Sequence, residues 1–164
     1  MPRKSLSIEQ ILTILANTPP RLAALTTGLT PGQLRTPPSP GEWSANDVLA
    51  HLRACADVWG GCIQTILSQD SPTIRAVNPR TWIKDTDYLV QAFMPSLQAF
   101  SSQRAELLSV LERLQPEEWS REAMVSGARK PLTRSARFYA QWLARHERPH
   151  LKQIESIANS IRKG

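Results

Sequence analysis

Cysteine is scarce: the 164-residue chain has two, Cys55 and Cys62. They lie seven residues apart in what reads as one helix, too far along it for a bridge, so a disulfide framework is excluded. No apolar run approaches the roughly 18 residues of a membrane span. The start, MPRKSLSIEQILTIL, has neither a long apolar core nor a small-residue cleavage site, which places the chain in the cytoplasm with no membrane partner. Internal repeats, low-complexity tracts, a serine nucleophile elbow, a phosphate-binding glycine loop and paired carboxylates on an apolar helix face are all missing. No segment alternates convincingly as a strand.

What is present is an ordinary globular composition, 41% apolar and 21% charged, at a length that fits a single domain over residues 1–164. The net charge is +6. Residues 1–120 carry 10 basic and 11 acidic groups and residues 121–164 carry 10 and 3, so the whole excess is C-terminal.

Apolar spacing predicts four main helices. Residues 6–27 form one kinked helix or two short ones, interrupted by Pro19 and Pro20. The proline-rich stretch from Thr30 to Glu42 is a loop. Ser44 then caps a second helix, with Asp47 supporting its first turn, running to about Ser68. Residues 70–84 read as a long irregular connection, and a third helix spans about Asp87 to Leu114, bent at Pro95. After a broken region around Pro116, Gly127 and Pro131, Thr133 is positioned to cap a final helix ending near Arg162. The sum is an all-α bundle.

All three histidines face inward. On the second helix His51 falls within the apolar arc that includes Val48, Leu52 and Cys55, and on the last helix His146 and His150 join Tyr139, Leu143 and Ile154. A lone inward histidine is usually a core residue satisfied by one hydrogen bond. Two histidines one turn apart, facing a third on an antiparallel neighbour, also make a three-nitrogen metal site with open positions, the catalytic type of ligation. The string His146-Glu147-Arg148-Pro149-His150 matches HExxH, but the protease reading fails on three points. Pro149 disturbs the helix, Glu147 projects about 100° from His146, and Gln153 and Ser156 stand where a metzincin needs Gly and His.

The run Pro40-Gly41-Glu42-Trp43-Ser44 leading to Val48-Leu49-Ala50-His51-Leu52, together with His146-Glu147-Arg148-Pro149-His150-Leu151-Lys152-Gln153-Ile154, resembles the two signatures of DinB-like (DinB/YfiT) proteins, and the match covers essentially the whole chain. The resemblance implies a four-helix up-down-down-up bundle. It also implies a divalent metal, nickel or zinc, held by histidines matching His51, His146 and His150, and a homodimer. Activities in that family include thiol-dependent transfer or isomerisation, with a low-molecular-weight thiol, and metal-dependent hydrolysis.

Around the three histidines, Asp47 has two readings: acceptor for the free ring N–H of His51, or support for the helix start alone. Cys55, one turn beyond His51, is within reach as a fourth donor but reads better as a small buried hydrophobe. Gln153 follows His150 on the same face, facing substrate or a metal-bound water. Tyr139, Tyr88 and Trp82 are pocket candidates. Arg134, Arg137, Arg145, Arg148, Lys152 and Arg162 gather opposite the histidines as a solvated stripe, and no DNA-reading pattern accompanies them, so nucleic acid is disfavoured as a partner. Two functions compete: a metal-dependent thiol transferase or hydrolase acting on a small molecule, and a non-enzymatic homodimer that binds a ligand or scaffolds a partner.

Overall fold

A computed structural model describes residues 3–127 and 129–164. Its elements are α1 (Ile8–Leu25), α2 (Pro31–Leu34), α3 (Ala45–Ser68), β1 (Thr73–Arg75), α4 (Pro79–Trp82), a 3₁₀ turn (Ile83–Asp85), α5 (Phe93–Leu111), α6 (Pro116–Trp119), β2 (Glu122–Ser126), β3 (Leu132–Ser135) and α7 (Ala136–Lys163). The four long helices form the bundle, with α1 packed on α7 and α5, and α3 on α7 and α5. Thr18 meets Glu147, and Arg162 meets the end of α1, so α1 and α7 run parallel. His51 and Trp59 face His146 and Trp142, so α3 and α7 run antiparallel. Phe93 and Phe100 of α5 pack in the cluster of Leu49 and Ile154, and its Leu107 and Leu111 in that of Ile66 and Leu143, so α5 runs with α3 and the order is up-down-down-up.

Local chemistry explains the ends of α3. Ser39 to Glu42 close a turn through the Glu42 N–H to Ser39 carbonyl bond, with Pro40 in its second position. Gly41 follows at φ +83°, a conformation other residues adopt only under strain. Ser44 then accepts from the Asp47 N–H at 3.1 Å while Asp47 Oδ2 accepts from the Ser44 N–H at 2.9 Å, a reciprocal capping box. The helix ends at Ser68, as its sequence indicates.

Elsewhere the structure chooses between the alternatives of the sequence reading or corrects it. Residues 8–25 are one helix with Pro19 and Pro20 inside it. Pro19 has no N–H for the Leu15 carbonyl, and Arg104 Nη1 donates to that carbonyl instead at 2.9 Å. The third helix starts at Phe93, not Asp87, which puts Pro95 in the first turn, where a missing N–H breaks no helical bond. Ser135, not Thr133, caps α7 by accepting from the Phe138 N–H at 3.0 Å. Helix α7 continues through Pro149, whose ring lies on the exposed side.

Strands exist where none was expected: β2 pairs in parallel with β1 and antiparallel with β3. They are three to five residues long, and in β2 only Ala123 and Val125 turn inward around the outward Met124. That is too short an alternation to read. The sheet packs with Ile63, Ile66 and Leu111 at one end of the bundle, and a second apolar cluster around Leu49, Phe100 and Ile154 fills the other.

Three of the basic side chains on α7 do more than meet solvent. Arg137 donates to the Leu6 carbonyl, Arg145 to the Lys4 carbonyl and Arg162 to the carbonyls of Leu25 and Thr27, strapping the N-terminal segment and the end of α1 to α7.

Candidate metal centre

The site forms where the N-terminal half of α3 faces the middle of α7. Residues four apart on a helix share a face, so α3 presents His51 and Cys55 together and α7 presents His146 and His150 together. His51 Nε2 lies 3.1 Å from His146 Nε2, and Cys55 Sγ lies 3.6 Å from the first and 3.4 Å from the second. His51, Cys55 and His146 are the candidate metal-binding group found among the described residues. The His150 ring packs beside it, its centroid 4.9 Å from that of His51 and 4.7 Å from that of His146. Gln153 Oε1 sits 2.8 Å from His150 Nδ1; as an amide oxygen can only accept, Nδ1 is the donor of that pair and Nε2 is the nitrogen turned to the other partners.

Burial sets the protonation of these groups. Desolvation, with the nearby His150 adding to it, lowers His51 and His146 from the usual 6.5 to about 4, so both rings are neutral at pH 7 and can donate lone pairs. Burial likewise pushes the Cys55 thiol up to about 12, with the negative charge of Glu147 contributing. The donor chemistry fits a divalent cation of borderline softness. For an ion bound at about 2.0–2.1 Å by nitrogen and about 2.3 Å by sulfur, tetrahedral edges are about 3.3 Å between nitrogens and about 3.6 Å from nitrogen to sulfur. Those values lie close to the spacings observed.

Two cavities open onto the centre. One, of about 490 Å³, is bordered by Trp43, Arg80, His150, Gln153 and Ser156. The other, of about 240 Å³, is bordered by Trp43, Asp47, His51, Arg80 and Leu89. Trp43 separates them, its ring 5.2 Å from His51 and stacked 6.4 Å from His150. Arg80 approaches from α4, with its guanidinium carbon 5.8 Å from the Trp43 ring centroid, and its positive charge also disfavours protonation of His51 and His146. Sequence reasoning missed Arg80, because it lies in a connection with no period and reaches the site only through the fold.

A family model described as the DinB superfamily matches residues 14–154. The chain belongs to that superfamily. A Geobacillus kaustophilus protein provisionally named as a metal-dependent hydrolase is 26% identical over 158 residues, covering 92% of this chain and 83% of its own length. YfiT from Bacillus subtilis, described provisionally as a metal-dependent hydrolase with an unusual four-helix bundle topology, superposes with a TM-score of 0.75 at 20% identity, covering 97% of this chain and 91% of YfiT.

Within this DinB-superfamily bundle, Gln153 touches the histidines, Asp47 borders a cavity beside His51, and Tyr139, Trp82 and Tyr88 make their contacts elsewhere. Asp47 borders the smaller cavity, but its carboxylate is committed to the Ser44 N–H, which favours the helix-start reading. Tyr139 is buried against Phe138 and beside Cys62. Trp82 and Tyr88 both donate to Asp57 Oδ2, at 3.1 and 2.5 Å, while Gln103 donates to Oδ1, a cluster that anchors the connection between α3 and α5. Gln153 holds His150. Glu147 settles the HExxH match: it is 1% exposed, paired with Arg104 and bonded by the Thr18 hydroxyl at 2.8 Å, so it is a core residue rather than a base beside the histidines.

Proposed function

We propose that the chain is a metal-dependent enzyme of hydrolase type, with a divalent ion held by His51, His146 and His150. The observation that supports this most is the convergence of two neutral imidazole nitrogens, one buried and one half-buried, at 3.1 Å beside two solvent-connected cavities. A divalent ion held mainly by imidazoles supplies Lewis-acid chemistry that lowers the pKa of a water or a small thiol toward neutrality. Zinc or nickel suits imidazole-rich donors.

The chain's own residues then do the positioning. Gln153 fixes the tautomer of His150, Trp43 walls the two cavities apart, and Arg80 offers a positive group to an anionic part of a substrate. In the thiol-transfer version of the same reading, a low-molecular-weight thiol takes the place of water in the larger cavity. Residues 1–164 act as one DinB-like unit in the cytoplasm. In the same reading, carried over from the family resemblance, two such units pair as a homodimer.

The test is a screen of ester, amide and thiol-transfer substrates with metal-free and metal-loaded protein. Turnover that requires zinc or nickel and disappears in His51→Ala supports the reading. Stoichiometric metal with no turnover across the screen would favour the non-enzymatic ligand-binding or scaffolding bundle.

A further inference from the structure

We infer that Cys55 is a sulfur donor to the same ion as His51 and His146. This rests on the metal-centre reading above, and it adds a ligand type that three histidines do not supply. Cys55 Sγ lies 3.4 and 3.6 Å from two ring nitrogens that are themselves 3.1 Å apart. These three distances approximate one face of a coordination tetrahedron with mixed nitrogen and sulfur ligands. A cysteine packed only as a small hydrophobe needs apolar neighbours and no convergent lone pairs. Its single proton can satisfy only one of the two nitrogens, whereas one cation among the three atoms satisfies them all.

The second cysteine serves as the control within the chain. Cys62 is on the same helix, half-buried, and associates with the Tyr139 hydroxyl instead of the histidines. Coordination by Cys55 breaks its S–H bond, forms a sulfur–metal bond and releases the proton to water. Sulfur among the donors makes the centre select zinc, nickel or cobalt over magnesium or calcium.

The experiment is loading of the metal-free, full-length protein with Co(II), reading stoichiometry together with the near-ultraviolet sulfur-to-cobalt charge-transfer band. The expected result is a band in wild type and in Cys62→Ser. In Cys55→Ser the band is lost and cobalt affinity falls by at least about tenfold, in the range for lost support at metal sites. Should Cys55→Ser fail to fold, Cys62→Ser decides alone, because Cys55 is then the single thiol left. Cobalt bound stoichiometrically and lost in His51→Ala, but with no such band, overturns the role of Cys55 and leaves the histidine centre standing. A band lost in Cys62→Ser overturns it equally. No cobalt uptake in wild type overturns both the centre and its sulfur ligand.

Discussion

His51, buried, and His146, half-buried, carry a pH signature that metal-free protein should display. His51 and His146 each titrate near 4 in the fold against 6.5 in the unfolded chain, so the fold favours their neutral forms. The unfolded state therefore takes up protons first as pH drops, and stability is complete above about 6.5 and lost progressively as pH falls toward about 4. Thermal unfolding of apo protein across that window should show a falling Tm, and a His51→Gln, His146→Gln double variant should show a shallower fall. An unchanged slope would contradict the assignment. Gln153→Ala frees the tautomer of His150 without removing a proposed ligand. It should weaken zinc binding by about 10–100-fold, as loss of supporting contacts does elsewhere, measured by chelator competition; unaltered affinity would place His150 outside the metal's reach.

At the scale of elements, the long helices were legible because apolar periodicity and capping chemistry agree, most clearly at Ser44 and Asp47, where both partners of the capping box can be read directly. What local sequence left open or missed has physical causes. Pro19 left one helix or two as alternatives, and Arg104 arriving from α5 to satisfy the Leu15 carbonyl, a tertiary contact invisible in local sequence, decides for one. Strands β1 to β3 are too short for alternation to accumulate. The same reasoning explains why Glu147 looked like part of a protease string: its partner Arg104 is 43 residues away. That pair fixes α5 against α7, and the Thr18 hydroxyl adds α1 to it. Arg104→Met leaves a buried carboxylate unpaired and should cost about 3–5 kcal/mol in denaturant unfolding, against about 1 kcal/mol for loss of the Ser44 cap in Ser44→Ala. Equal effects would mean that the pair is not the keystone described.

Over the whole molecule, the centre depends on two antiparallel helices, each carrying a pair of donors one turn apart, and on a connecting segment that brings Arg80 over them. The histidines and their pairing could be read from spacing and from the resemblance of two short motifs. The closeness of Cys55 to both nitrogens could not, because one side-chain position distinguishes a ligand from packing. Because Arg80 borders the cavities without being a proposed ligand, Arg80→Gln should retain metal and lose selectivity for anionic over neutral substrates; loss of metal would assign it a structural task instead. The most direct test of the central claim is elemental analysis of protein purified without an affinity tag, wild type beside His51→Ala and His146→Ala, with helical circular dichroism as the folding control. The account predicts about one equivalent of zinc or nickel in wild type and none in either folded variant. A wild-type protein that holds no metal and takes none up on titration would contradict it.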